Sequence, residues 1–257
     1  MRHGKIENFL AAVRFLTILP VPGRLGTCSQ ALPGSLVFFP LVGLLQGVFC
    51  VFVSIVCGAF LSPLLTAVLV AAAMLSVSGG LHMDGLSDTA DGFFSGRNRE
   101  GTLEIMRDSR TGAMGVMAIV VVFAVKTAAL AGIPQGRMWV PVLLMPIAGR
   151  VVLVLMVAFM PYARPEGGIG TLFFERSQRK CACWCLVAFT VLSWLVAGAA
   201  GLLLVGVVLT AAFCLGVFCY RKIGGMTGDS LGASCEISET MAAVTMAAGP
   251  ILSMWRT

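Results

Sequence analysis

The sequence predicts an all-α fold: a polytopic membrane helical bundle of about six to seven transmembrane helices, with an interfacial helix at the N-terminus. Three observations carry this. The 257 residues are 58% hydrophobic and 12% charged, with a mean hydropathy of +0.95, whereas soluble domains carry about 25% charged residues. Apolar runs near the bilayer-crossing length recur along the chain. The basic residues gather in alternate joins between those runs.

The N-terminal stretch MRHGKIENFLAAVRFLTILPVPGRLG has Phe9, Val13 and Leu16 at helical spacing, and Arg14 interrupts its apolar face. That pattern predicts an amphipathic helix at the membrane surface rather than a cleaved signal peptide. Seven runs follow, at about 36–57, 59–79, 113–133, 138–160, 182–199, 201–219 and 240–255. The joins near 58, 135 and 200 are short, so their flanking spans pair as hairpins; the last run is short enough to be re-entrant. No linker or low-complexity stretch divides the chain, so 1–257 reads as one membrane-embedded domain.

With the N-terminus inside, four cytoplasmic segments hold 14 of the 18 Lys and Arg residues. The positive-inside rule then sets the orientation. Of the 12 acids, six fall between Asp84 and Asp108 and three between Asp229 and Glu239, both on that same face. The net charge of +6 suits anionic lipid or an anionic substrate. Lys126 and Arg150 lie inside predicted spans, where a charge is functional, paired with an acid or snorkelling to the interface. The nine cysteines show no CxxC pair, and CACWC at 181–185 reads as small hydrophobes at a helix end rather than a metal site.

In GGLHMDGLSDTADGFF, Asp84, Asp88 and Asp91 are spaced i, i+4, i+7 and line one face of a helix. Two such charges about 6 Å apart repel by roughly 3 kcal/mol at an effective dielectric near 20. A hard divalent cation relieves this, and Mg²⁺ takes one or two carboxylates plus substrate phosphates. His82 reads as a ligand, a phosphate partner or a packed residue. In REGTLEIMRDSRTGAMG, Glu104 and Asp108 are i, i+4, while Arg107 and Arg110 are i, i+3. Such alternation suits an exposed salt-bridged helix, but beside an acidic metal site the guanidinium forks suit phosphate oxygens. RKIGGMTGDSLGASCEISE, 221–239, predicts a Gly-rich polar loop carrying Thr227 and Asp229, whose N–H groups could meet an anion. Glu236 and Glu239 read as second-site ligands or helix-start acids. Carboxylates for metal and arginines for phosphate together point to phosphoryl-group transfer.

GGLHMDGLSDTADGFFSGRNREGTLEIMRDSRTGAMGV resembles the signature of the cobalamin synthase family, the adenosylcobinamide-GDP ribazoletransferases. RFLTILPVP at 14–22, FFPLVGLLQG at 38–47 and GGMTGDSLGASCEISE at 224–239 are similar to it in the same order, while 163–200 matches least clearly. The resemblance implies a Mg²⁺-dependent inner-membrane transferase with its active site facing the cytoplasm. α-Ribazole or its 5′-phosphate displaces GMP from adenosylcobinamide-GDP, which completes a cobamide. It implies Asp84, Asp88 and Asp91 as metal ligands, with Asp91 or Asp108 handling the hydroxyl proton. His82, Glu104, Arg107, Arg110, Thr227 and Asp229 would bind substrate. The expected partners are these substrates and the bilayer, with no nucleic acid; homo-oligomer formation and association with other cobalamin-assembly enzymes stay open. A CDP-alcohol phosphotransferase fits poorly, since Asp91-Gly92 is followed by Phe93-Phe94. A cation transporter would place its acids near mid-bilayer, often in inverted repeats, and neither is evident.

Overall fold

The computed structural model describes residues 4–22, 26, 31–164, 171–174 and 178–248. Arg2, Arg24 and Arg176, three of the basic residues used for sidedness, lie outside the described residues. Helix α1 (Lys5–Leu16) is amphipathic as expected: Ala11, Ala12 and Leu16 are buried while Lys5 and Arg14 are exposed. A short α2 (Leu32–Ser35) and a 3-10 turn (Leu36–Phe38) lead into α3 (Phe39–Gly58). Next come α4 (Pro63–Val77) and α5 (Leu81–Phe93), bent by 90° from each other. The bend is Gly79-Gly80, with φ of +62° and +75°; only glycine adopts such values without strain. Ile18 clips it, its N–H donating to the Val77 carbonyl at 2.9 Å.

Helix α6 (Arg99–Ile105) precedes α7 (Ala113–Ala131) and α8 (Gln135–Phe159). Helix α8 is the buried axis of the bundle: its partners are α3, α10 and α11, and Pro141 and Pro146 lie within it. Helix α3 approaches it through Gly43 and Gly47, one turn apart. A methyl group on either would sit 2.7 or 2.6 Å from the Pro146 or Leu143 carbonyl oxygen. Small residues at this spacing let apolar helices pack backbone to backbone.

A four-residue α9 (Thr171–Phe174) comes before α10 (Arg179–Ile223), which has 45 residues. A straight helix of that length would run about 68 Å, twice a bilayer core. It breaks at Gly198 (φ 56°, ψ −133°) and folds back, so that Gly201 lies against the Ser193 carbonyl. Its halves cover the predicted runs 182–199 and 201–219 as a hairpin.

Among the described residues, four helical stretches are long and apolar enough to cross a membrane, or five when α4 and α5 are counted together. With α10 folded into two halves, six of the seven predicted runs have a helical counterpart. The seventh is described only in part. Helix α11 spans Gly228–Met246, so the predicted run 240–255 begins inside it, and 249–257 lie outside the described residues. The predicted loop 221–239 is corrected. Only Gly224–Thr227 form a turn between α10 and α11, because Thr227 and Ser230 make a reciprocal capping box that starts the helix early. Helix α6 ends at Ile105, so Glu104 and Asp108 do not share a helix face.

Candidate active site

The site forms where α5 crosses α11. A methyl group on Gly85 would lie 2.6 Å from the Asp229 carbonyl oxygen, and one on Gly232 would lie 3.1 Å from the His82 carbonyl oxygen. Two glycines, one on each helix, thus bring the backbones into contact. That crossing sets Asp84 and Asp88 beside Asp229. The Asp88 carboxyl is pushed up to about 6, first by partial burial and then by the charges of Asp84, Asp229 and Asp91.

Asp229 occupies the first turn of α11, where the helix dipole favours an acid. Its carboxylate accepts from Arg164 Nη2 at 2.6 Å. Burial raises its pKa, and Arg164 opposes that rise. Residues 161–164 are held there by a two-bond bridge: Met226 N–H donates to Pro161 O and Ala163 N–H to Met226 O, each at 2.8 Å. Arg99 reinforces the bridge, donating to Ile223 O at 2.8 Å and Ala163 O at 2.9 Å. Arg164 is a site residue that the sequence reading missed. Its partner is 65 residues away, and no local spacing connects them.

Asp91 is placed differently from its two companions. Its oxygens accept from the backbone N–H groups of Gly112, at 2.6 Å, and Gly115, at 2.8 Å. It satisfies orphan donors at the start of α7, the work of a helix cap delivered from another helix. Asp108 binds Arg110, whose Nε and Nη2 donate to its carboxylate. These bonds hold Asp108 down to about 2. Both acids expected to handle a proton are therefore committed to other donors, and Arg110 is neutralised locally. Arg107 and Glu104 are exposed at and just beyond the end of α6. The Thr227 hydroxyl is buried and spent on the α11 cap, so it is corrected from a substrate contact to a capping group.

Lys126 and Arg150 pair with acids, one of the alternatives the sequence left open. Lys126 Nζ lies 2.6 Å from Glu236 and 2.9 Å from Glu239, and Arg150 binds the other oxygen of Glu239. All four are buried. Two cations and two carboxylates thus cancel inside the bundle and tie α7, α8 and α11 together. Glu236 and Glu239 are corrected from helix-start acids to the counter-ions of this network. The cysteines at 181, 183 and 185 are unpaired on the first turns of α10.

A cavity of about 320 Å³ opens beside Asp84 and Asp229, with His82, Tyr162 and Arg164 in its wall. Among the described residues no three His, Cys, Asp or Glu side chains close around a single metal position. Mg²⁺ does not need three: one or two carboxylates, waters and substrate phosphate suffice. Asp84 and Asp88 supply hard oxygens where carboxylates crowd one another, and in that respect they fit the ion.

Fold and site together define a polytopic helical membrane protein with a pocket walled by Asp84, Asp229 and Arg164. The chain belongs to the cobalamin-5-phosphate synthase family, whose sequence model matches residues 8–247. It is 41% identical over 236 residues to an adenosylcobinamide-GDP ribazoletransferase of Roseiflexus sp. (strain RS-1), covering 91% of this chain and 87% of that one. A protein of the same description from Acetivibrio thermocellus is 38% identical, covering 91% and 95%. One from Pseudomonas putida (strain GB-1) is 36% identical, covering 94% and 98%. No solved structure matches the chain.

Proposed function

We propose that this chain is a membrane-bound adenosylcobinamide-GDP ribazoletransferase. It moves the adenosylcobinamide phosphate from its GDP ester to α-ribazole or α-ribazole 5′-phosphate and releases GMP. The observation that carries this reading is the glycine-mediated crossing of α5 and α11, which gathers Asp84 and Asp229 beside Arg164 in the wall of one cavity, with Asp88 close enough to feel their charges. The relatives' shared description supplies the substrates.

The acceptor hydroxyl attacks the cobinamide-bearing phosphorus as the bond to the GMP oxygen breaks. Asp84 and Asp88 would hold Mg²⁺, which would supply positive charge to the diphosphate. Asp229 would orient the hydroxyl and accept its proton through the oxygen that Arg164 does not bind, because Asp91 and Asp108 already serve Gly112, Gly115 and Arg110. Arg164 fixes Asp229 and adds positive charge at the cavity wall. Exposed Arg107, whose charge reaches Tyr162 of the cavity wall, would meet outer phosphate oxygens. The site faces the cytoplasm of the inner membrane, on the side where the basic joins collect.

The test is a proteoliposome assay with adenosylcobinamide-GDP, α-ribazole and Mg²⁺, reading GMP and the completed corrinoid. Folded protein that yields neither product overturns the reading. For sidedness, a cysteine at Ser95 is expected to resist an impermeant label applied from outside; labelling there inverts the orientation.

A further inference from the structure

A groove of about 480 Å³ runs between the C-terminal half of α8 and the second half of α10, separate from the cavity of the site. Leu155, Leu209 and Phe213 line its body, and Tyr220 and Arg221, in the last turn of α10, line its end. Both helices are long and apolar enough to cross a membrane. Phe159 and Phe213, which also line the groove, are 55% and 71% exposed, so it opens outward on a face that hydrocarbon covers. The charge at its end distinguishes it from an ordinary greasy surface. Arg221 is exposed and has no ion pair or hydrogen bond among the described residues, whereas its neighbour Lys222 donates to the Arg97 carbonyl at 3.0 Å. No acid is among the groove's described lining residues. An uncompensated cation thus stands at the end of a hydrocarbon channel. Beside it is Tyr220, a ring type that favours the membrane–water interface.

We propose that this groove binds an anionic phospholipid, with the headgroup phosphate on Arg221 and one acyl chain along Leu155, Leu209 and Phe213. Each part of the lining selects a part of that ligand. The apolar walls would strand the polar atoms of a free nucleotide or of inorganic phosphate. The guanidinium fork matches phosphate oxygens, and a zwitterionic headgroup brings its own cation, which offsets the attraction. About 480 Å³ is roughly the volume of one turn of a helix 10 Å across, so a helix of a second copy could seat only about one turn there, while a flexible chain threads the whole length. Basic pockets between membrane helices are where anionic headgroups collect. Pro161 lines the groove and its carbonyl accepts from Met226 at 2.8 Å, so the lipid seat abuts the segment that carries Arg164. Binding here does not require the transfer reaction.

The experiment is native mass spectrometry of the full chain released from detergent, after incubation with equal amounts of phosphatidylglycerol and phosphatidylcholine of the same acyl chains. Wild type is expected to retain phosphatidylglycerol about fivefold over phosphatidylcholine, the contribution of one basic residue at an anionic headgroup. Arg221→Ala should bring that ratio to about one. Lys180→Ala removes an exposed charge at the other end of α10, which the fold-back at Gly198 returns to the same side of the bundle; its ratio should match wild type. Leu209→Trp fills the groove and should lower retention of both lipids. Equal retention in wild type, a preference that survives in Arg221→Ala, or unchanged retention in Leu209→Trp overturns the proposal. So does an equal loss of preference in Lys180→Ala, which would assign it to diffuse surface charge, or a dimer of the chain in place of bound lipid.

Discussion

Gly85 on α5 packs directly on the backbone of Asp229 on α11, with room for a hydrogen and not for a methyl group: a Cβ there would lie 2.6 Å from the Asp229 carbonyl oxygen. Asp84 and Asp229 can share a cavity only because these backbones touch. Gly85→Ala is therefore expected to reduce transfer at least about tenfold by separating the carboxylates, with the protein still inserted. Gly80→Ala is an unsuitable control, because Gly80 needs its positive φ. Gly206, on the exposed side of α10 where nothing lies near an added methyl group, is the comparison, and Gly206→Ala should stay near wild-type turnover.

The three aspartates of α5 separate into two kinds. Asp84→Asn and Asp88→Asn are expected to abolish most transfer while leaving thermal stability unchanged. Asp91→Ala should lower stability by about 0.5–2 kcal/mol, the ordinary cost of a lost helix cap, because Gly112 and Gly115 lose their acceptor. Asp91→Asn keeps the acceptor oxygen for one of those two bonds and should recover part of that stability. The check is a melting curve beside a turnover measurement for each variant. Equal loss of stability in all three would erase the distinction.

If Asp84 and Asp88 hold Mg²⁺, wild-type transfer should stop on chelation and return on adding Mg²⁺. Asp84→Glu should demand more Mg²⁺ for half-maximal turnover. Asp108→Asn should leave that requirement where it is, since the Asp108 carboxylate is taken by Arg110. A Mg²⁺ titration of initial rates on the three proteins reads this directly.

Asp108 also makes a pH prediction. Its folded pKa is held at about 2 by hydrogen bonds from Arg110, below the usual value of about 3.9. A depressed carboxyl stabilises the folded state above its unfolded pKa and loses that contribution as pH falls through the folded one. The melting temperatures of wild type and Asp108→Asn should thus differ at neutral pH and converge between about pH 4 and pH 2. The pair is solvent-facing, so the difference should be small and shrink in salt.

The buried network predicts a strong non-additivity. Lys126→Met leaves Glu236 uncompensated in the bundle and should cost about 3–5 kcal/mol. Lys126→Met with Glu236→Gln removes one charge of each sign and leaves Arg150 paired with Glu239. The double variant should regain most of the loss, measured by chemical denaturation in detergent. A sum of two independent penalties would mean that the charges do not compensate one another.

Much of this protein was legible along its length. Hydropathy located six of the apolar helices, because burial in a bilayer is a property of composition over about 20 residues. The short joins near 135 and 200 marked the hairpins, and the motifs at 79–115 and 224–239 carried the family resemblance. Sequence also marked every acid that matters. It did not sort them by role, because a carboxylate's role depends on which donor reaches it. Asp91 meets Gly115 from 24 residues away, Arg164 meets Asp229 from 65, and Lys126 meets Glu236 from 110. The i, i+4, i+7 spacing placed three aspartates on one helix face, yet only the packing of α7 and α11 on that helix separated Asp91, a cap, from Asp84, in the cavity wall, and Asp88, close to Asp84 and Asp229. Thr227 and Glu239 followed the same pattern: their residue types suggested ligand contacts, and helix capping and charge neutralisation claimed them. Hydrophobic periodicity is a local quantity and can be read from the chain, whereas electrostatic and hydrogen-bond partnership at short range is decided only when the chain has folded.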